Sequence, residues 1–519
     1  MKSEPENVTV KLIHPVYGEK LLTLSRGEAI MPYIAKLGAY APCGGRGSCG
    51  KCRVLVSGCV PSPSERDLAM ISDDELKRGV RLACMLRAEN MMTIEISEII
   101  RSGEMAVEKG TDETFLYSGH GVSFALDIGT TSLALALVDN AKKKTIEVFC
   151  AENPQKAFGA DVMSRIEYCS RGGLNELNSL IISEINGLVK KAAAKYDVPE
   201  SETNGIYVCG NMTMLHILFG INCTSMGVAP YNPFFINSKN ILCADIGIKL
   251  PGFCRSLPGI SAFVGADIVA GIYSVTCKFG YPPDGKYDIL IDLGTNAEIA
   301  VFDANECVAS AAAAGPCFEG ANIECGMPAV TGAVCSFCLS NGKTRYETIG
   351  KAEPGGICGT GLIDAVAFLL REGLIDETGA FEGSERYDIA PGVYISQRDI
   401  REFSLAKSAV RAATEVLINI KGACFDSIRN VYVAGGFSSA INISNACEVG
   451  LFPKKLAKKL IPVSNSALSG TLFSLLSGEL PSESQALARI CKGARYIDLA
   501  KQALFTDKFI QNMTYEETY

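Results

Sequence analysis

Four cysteines carry the first chemistry legible in the chain. Cys43, Cys49 and Cys52 lie in PCGGRGSCGKC at the spacing C-x5-C-x2-C, and Cys84 follows in RLACML. In a reducing compartment, cysteines at such spacing point to metal rather than to disulfides. Gly44, Gly45, Gly47 and Gly50 surround them. Lacking Cβ atoms, these residues let backbone N–H groups turn toward whatever the thiolates hold. Iron–sulfur chemistry and a structural zinc both accept four thiolates. Cys59 stands outside the spacing and reads as a non-ligand. Cys317, Cys325, Cys335 and Cys338 include a lone C-x2-C pair, a weaker metal signal.

A second chemistry is written twice. VSFALDIGTTSLALALVD contains Asp127, Gly129, Thr130 and Thr131, and YDILIDLGTNAEIAVFD contains Asp292, Gly294, Thr295 and Asn296. Each reads as strand, Asp-x-Gly-Thr turn, strand. A tight turn of this kind exposes backbone N–H groups and hydroxyls beside one carboxylate. Two turns facing each other make a phosphate clamp: amides cradle phosphate oxygens, and carboxylates hold Mg²⁺ through its waters. One such turn has ordinary structural uses; two in the same strand context are far more specific. Downstream, VYVAGGFSS runs a strand into Gly435 and Gly436, where a flat base or ribose can approach bare backbone. PGGICGTGLID opens an apolar helix at Gly359, whose amides can meet a nucleotide.

The elements that must position these groups follow from periodicity. Val8 to Ile13 alternates and predicts a strand, with Leu21 to Leu24 as its hairpin return. Glu28 to Leu37 has helical spacing and stops at Gly38. Cys52 to Val56 predicts a third strand, Ser72 to Glu75 starts a short helix, Arg81 to Leu86 is extended around Cys84, and Met92 to Ile96 closes as a strand. The order predicts an α+β, β-grasp sheet with the cysteine loop at its edge. A polar stretch over Ser97 to Gly121 reads as a linker. The chain of 519 residues is too long for one core. It divides into a small domain at 1–98, a linker at 99–120, and two α/β lobes at 121–285 and 286–519, the second with C-terminal helices.

Net charge of −8 argues against a nucleic-acid partner. The basic clusters at Lys142 to Lys144 and Lys454 to Lys459 read as solvated turns. No apolar run reaches ~18 residues and the N-terminus has no signal-peptide core, so a cytoplasmic protein without a membrane partner is expected. Twenty-one cysteines accompany only three histidines. His216, in a Met- and Leu-rich stretch, reads as a satisfied core histidine.

The cysteine pattern resembles plant-type [2Fe-2S] ferredoxins, C-x4-C-x2-C with a distant fourth Cys, with one extra residue in the first gap. The resemblance implies a [2Fe-2S] cluster on Cys43, Cys49, Cys52 and Cys84. The two turns and the Gly-Gly strand end, in that order, resemble the acetate kinase, sugar kinase, Hsp70 and actin superfamily. That resemblance implies two ribonuclease-H-like lobes with Mg-ATP between them. Asp127 and Asp292 would then arrange Mg²⁺ and the attacking water, assisted by Glu298 and Asp267. Gly129, Thr130, Thr131, Gly294, Thr295, Asn296 and Gly359 would meet phosphates, and Gly435 and Gly436 the adenosine.

The fusion of these two parts resembles the reductive activators of corrinoid proteins, ATP-dependent enzymes that restore Co(I) in methyltransferase systems. Further stretches carry the likeness, among them Asn153 to Gln155, Ser164 to Ile166, Gly210 to Met214, Gly265 to Asp267, Gly315 to Gly320, Gln397 to Arg401 and Lys407 to Ala409. It implies one-electron reduction of Co(II) to Co(I), a corrinoid protein as partner, an external low-potential electron donor, and compatibility with a homodimer. Longer members carry an extra small domain between ferredoxin and ATPase. Only about 25 residues intervene here, so this chain is expected to lack that domain. A plant-type cluster near about −400 mV cannot reduce a lower-lying cobalt couple unaided, which is the reason for coupling to ATP. Two other readings remain: an activator of a radical dehydratase, whose cluster would be [4Fe-4S], and a non-catalytic electron-carrier or nucleotide-sensing module.

Overall fold

The computed structural model describes residues 7–14, 18–35, 47, 50, 52–96, 121–159, 161–340, 343–436 and 438–516. Cys43, Cys49 and the linker at 99–120 lie outside the described residues.

The first domain is built on the predicted hairpin, β1 (Asn7–His14) and β2 (Gly18–Ser25). After α1 (Met31–Ala35) come β3 (Arg53–Gly58), α2 (Glu65–Met70), α3 (Asp73–Lys77), β4 (Val80–Leu82) and β5 (Met92–Glu95). The sheet order is β2-β1-β5-β3-β4, with β5 parallel to β1. Alternation along β1 buries Val8, Val10 and Leu12, which is how one face of the sheet makes the core.

Two local features depart from the sequence reading. Helix α2 was not anticipated, although its start carries a capping box: the Asp67 amide donates to Ser64 Oγ at 3.1 Å and the Ser64 amide to Asp67 Oδ2 at 2.8 Å. The buried Asp67 also accepts the Leu82 amide at 2.8 Å, tying the helix to the strand before Cys84. Cys84 itself lies in a 3-10 turn, Ala83–Met85, not in extended chain. The Ala83 amide donates to Cys52 O at 2.7 Å, ending the β3–β4 ladder.

The first lobe opens with the antiparallel set β6 (Val122–Ile128), β7 (Ser132–Asp139) and β8 (Lys144–Glu152). It continues through α4 (Val162–Tyr168), α5 (Leu174–Lys195), β9 (Thr203–Gly210), α6 (Met212–Leu218), β10 (Asn240–Leu242), β11 (Phe253–Ser256) and α7 (Ala266–Phe279). The second lobe repeats the plan with β12 (Tyr287–Leu293), β13 (Ala297–Phe302) and β14 (Cys307–Ala312). There follow β15 (Ala333–Ser340), β16 (Lys343–Thr348), β17 (Gly356–Ile357), α8 (Gly359–Arg371), β18 (Arg386–Ala390), β19 (Val393–Ser396), α9 (Gln397–Ile420) and β20 (Ile428–Ala434). The chain ends with α10 (Ile443–Glu448), β21 (Leu460–Pro462), α11 (Ser466–Ser477), α12 (Gln485–Gly493), β22 (Ala494–Tyr496) and α13 (Ala503–Gln511).

The two main sheets share a four-strand core. Their orders are β10-β11-β9-β6-β7-β8 and β21-β20-β12-β13-β14-β22. In each, three antiparallel strands are flanked by a fourth parallel to the first, β9 on β6 and β20 on β12. This is the ribonuclease-H-like repeat expected from the two Asp-x-Gly-Thr turns. The central strands are buried on both faces, so they read as continuous apolar runs.

The lobes meet where α7 and α11 cross. A Cβ on Gly470 would lie 1.9 Å from Ala270 O, so only glycine admits this approach. The C-terminal helices do not all serve the second lobe, as expected of 286–519. Leu468 of α11 packs on Ala125 and Ala136 of the first sheet, whereas α13 lies on α9. The ferredoxin-like domain docks on the first lobe: α1 meets the 3-10 segment Pro154–Phe158, and Ala157 packs against the small domain's core.

Candidate functional site

The β6–β7 turn is held from below by three side chains. Asn153 donates its side-chain N–H to Gly129 O at 2.8 Å while its backbone N–H donates to Thr131 O at 2.8 Å. Arg165, wholly buried, donates to Thr130 O, and Asn211 donates to Thr130 Oγ1 at 3.1 Å. Burial lowers the Arg165 pKa to about 9, still cationic at neutral pH. Its other bonds go to Gly159 O at 2.9 Å and Gln155 Oε1 at 3.2 Å. A fixed cation and two amides therefore hold the first turn in one shape.

The same architecture places the second pair of turns. Gly210 ends β9 and Gly435 ends β20, at φ 151° and 110°. A Cβ on Gly210 would meet Ile128 O at 2.6 Å, and one on Gly435 would meet Leu293 O at 2.3 Å. Each glycine thus lets a strand end press against the residue preceding Gly129 or Gly294. Gly436 has nothing within 4 Å of such a Cβ, leaving the open approach expected of a base-binding turn. Gly359 is different: a Cβ there would sit 2.2 Å from Phe318 O, so its visible task is close packing of α8 on the Pro316–Glu319 turn.

Four carboxyls converge on the cleft between the turns. Asp292 faces Glu298 directly across β12–β13, while the equivalent partner of Asp127 is Ala134. Like charges opposite each other in a ladder are destabilising. Asp267 enters from the first turn of α7, and Gly265 gives it room, since a Cβ there would lie 2.9 Å from Asp267 Oδ1. Burial and then the Asp127 charge push Asp267 up to about 7; burial and then the Asp267 and Asp127 charges do the same to Asp292. Burial raises Glu298 further, helped by Asp267 and Asp292, and raises Asp127 despite a 2.7 Å bond from Asn465 and a 3.6 Å contact from the Cys209 thiol. All four keep some surface in the cleft. Such a set is ionised together only beside a cation, which fits a hard divalent ion bound through water. Among the described residues, no group of three or more His, Cys, Asp or Glu side chains forms a direct metal cage, and this includes the Cys335–Cys338 pair.

A fifth carboxyl links the turns. Thr131 Oγ1 donates to Glu319 Oε1 at 3.0 Å and Thr295 Oγ1 to Glu319 Oε2 at 2.6 Å. Asn465 lies in no motif or stretch singled out in the sequence; Asn153, Arg165, Asn211 and Glu319 lie in stretches that carry only the family likeness, with no role attached.

In the small domain, Cys52 and Cys84 are buried with their Sγ atoms 3.3 Å apart. Gly47 and Gly50 take φ 70° and 66°, the left-handed conformation that glycine adopts without strain. Two converging thiols suit an iron–sulfur ligand set. Cys59 is exposed, and His216 is a core histidine: Nδ1 bonds Met212 O at 2.7 Å and Nε2 accepts the Phe234 amide at 3.1 Å.

Two α/β lobes with carboxylates on facing turns, the second of kinase-like ASKHA type, define the class of protein, here preceded by a ferredoxin-like sheet. The family model for the C-terminal domain of RACo, the ASKHA domain, matches residues 286–519, and that for the RACo middle region matches 122–278. The chain belongs to the RACo family of reductive activators of corrinoid proteins. It is 31% identical over 424 residues to the corrinoid activation enzyme RamQ of Eubacterium limosum, covering 76% of this chain and 70% of that one. It is 25% identical over 422 residues to the Co(II) methylated amine-specific corrinoid protein reductase of Methanosarcina barkeri, 75% of each chain. A solved reductive activator for corrinoid, iron–sulfur protein superimposes with TM-score 0.69 at 25% identity, over 97% of this chain and 98% of that one.

One expectation is overturned. The middle region is present: its model matches the segment read from motifs as the first ATPase lobe. The reason is structural, since β6 to β8 repeat the antiparallel core of β12 to β14 around the same Asp-x-Gly-Thr turn, and the segment therefore reads as the second lobe's twin.

Proposed function

We propose that this chain reduces a corrinoid protein from Co(II) to Co(I), one electron at a time, with a [2Fe-2S] cluster as donor and Mg-ATP hydrolysis as the drive. The observation that carries this reading is the presence, in one chain of this family, of the Cys52–Cys84 thiol pair and the two-turn carboxylate clamp. Cys43, Cys49, Cys52 and Cys84 would hold the cluster, which supplies a single low-potential electron taken from an external donor. Thr130, Thr131, Thr295 and Asn296 would bind phosphate oxygens, with Gly129 and Gly294 giving the turns their shape. Asp127 and Asp292 would hold the waters of Mg²⁺, and Glu298 and Asp267 would orient the attacking water. Gly436 would leave room for the adenosine.

The coupling follows from linkage. A ligand shifts a conformational equilibrium only by its differential affinity for the two states. Nucleotide bound between the lobes must therefore change their closure, and closure must change affinity for the corrinoid protein. The hydrogen bonds from Asn153 to the first turn give one route, because Asn153 also caps the 3-10 segment on which the ferredoxin-like domain docks.

The test is a visible-absorbance assay of corrinoid reduction with reductant and candidate corrinoid proteins. Co(I) is expected to accumulate with Mg-ATP and not with Mg-ADP. Equal yield with ATP, with ADP or with no nucleotide sinks the coupling. Electron paramagnetic resonance of the reduced protein separates a [2Fe-2S] centre from the [4Fe-4S] centre of a radical-dehydratase activator.

A further inference from the structure

Glu319 occupies an odd place for a carboxylate. It stands between two threonine hydroxyls, one from each lobe, that the clamp reading assigns to nucleotide phosphate. A hydroxyl has one proton to donate, so a threonine that serves Glu319 cannot also serve a phosphate oxygen. Among the described residues no cationic side chain lies within ion-pair distance of Glu319. Burial raises the Glu319 carboxyl above its ordinary range; the Thr295 and Thr131 hydroxyls and, from farther off, Arg165 oppose that rise, and the guanidinium is committed to Thr130 O, Gly159 O and Gln155 Oε1.

The backbone beneath it is held in place. Gly320 closes the 3-10 turn at φ 79°, and a Cβ there would lie 2.3 Å from Met327 O. Phe318 O is in turn pressed by Gly359. Glu319 is therefore aimed into the cleft by a rigid segment. Its charge also adds to the repulsion felt by Glu298.

We propose that Glu319 is an internal anion that fills the phosphate clamp of the nucleotide-free protein, so that its carboxylate and a nucleotide phosphate compete for Thr131 and Thr295. The proposal rests on the reading of the two turns as a phosphate clamp. Phosphate entry then breaks a carboxylate bridge between the lobes, and this exchange makes lobe geometry responsive to nucleotide. Glu319 is a positioning residue in this scheme; it takes no part in bond making.

The experiment compares the full-length, cluster-loaded wild type with Glu319→Gln and Glu319→Asp. Dissociation constants are measured for Mg-ATP, inorganic phosphate and adenosine by equilibrium competition with a fluorescent nucleotide. Glutamine keeps the shape and one acceptor but loses the charge. Its Mg-ATP and phosphate affinities are expected to rise about tenfold, the scale of losing a charge-assisted bond, with adenosine affinity unchanged. Aspartate keeps the charge but is one methylene too short to reach both hydroxyls, and its affinities should fall between. If Glu319→Gln binds Mg-ATP with equal or weaker affinity while wild type binds it, the competition is wrong and the clamp stands. If adenosine tightens as much as phosphate, general loosening of the lobes explains the effect and the proposal fails. If no phosphate ligand binds any of the three, the clamp reading itself falls and the proposal with it.

Discussion

Replacing Asp292 by Asn should make the nucleotide-free protein more stable while removing its response to Mg-ATP. Asp292 sits directly across the ladder from Glu298 and feels Asp267 and Asp127. Burial and these neighbours raise its carboxyl from an ordinary 3.8 to about 7. At 1.36 kcal/mol per pH unit that difference corresponds to about 4 kcal/mol. The carboxyl keeps surface in the cleft, so water screens the repulsion and roughly 1–2 kcal/mol is the fair expectation. The sign follows from proton linkage. Between pH 4 and 7 the folded chain keeps a proton that the unfolded chain releases, so nucleotide-free stability falls as pH rises through that window. Asn cannot ionise and escapes the loss. Thermal unfolding without ligand, followed by tyrosine fluorescence, should show Asp292→Asn melting roughly 1–2 °C above wild type at pH 8 and close to it at pH 4. Mg-ATP should raise the wild-type midpoint and leave the variant unmoved. A variant less stable than wild type at pH 8 without ligand, or one still stabilised by Mg-ATP to the same degree, would refute the view that these carboxyls are held in tension for a cation.

Three further perturbations have directions set by the structure. His216 is buried and desolvation lowers its pKa to about 4, so it is neutral when folded. The unfolded chain binds the extra proton between pH 6.5 and 4, so stability falls by up to about 3 kcal/mol on acidification through that range. In His216→Phe that component is absent, and urea denaturation curves of the two proteins should converge as pH drops. Gly435→Ala, at φ 110° and 2.3 Å from Leu293 O, should yield little folded protein, whereas Gly436→Ala should fold normally and weaken only nucleotide binding. Circular dichroism and nucleotide titration check the pair. Asn153→Ala strips a bond from Gly129 O and the cap from Pro154–Phe158. Mg-ATP affinity should fall by roughly tenfold, with the visible absorbance of the cluster unchanged.

Among the elements, those set by local pattern were legible in the chain. β1 and β2 alternate, the strands of the repeat are apolar on both sides, and both Asp-x-Gly-Thr turns sit where the ladders close. The short helix α2 is not legible in the periodicity, because its signal is a capping box over six residues, too brief for a helical repeat. Cys84 was read as extended because β4 precedes it; the backbone bond from Ala83 to Cys52 turns the chain instead. The first lobe reads from its motifs as an ATPase lobe, but its match to the family's middle region could not emerge from motifs that it shares with the second lobe.

What the amino-acid order settles by itself is the inventory and its local setting. Thiols are in a glycine loop, carboxylates begin two tight turns, glycines end two strands, and His216 lies in apolar surroundings. These are decided within a few residues, by φ freedom and by the periods of strand and helix. The tertiary structure alone decides which of them meet. Asn465 reaches Asp127 across 338 positions, and Glu319 joins Thr131 to Thr295 across 188 and 24. The order of strands in two sheets, and the glycine crossing of α7 with α11, bring those loops to one cleft. No local pattern records that juxtaposition, because hydrogen bonds between distant loops leave each segment's own propensity unchanged.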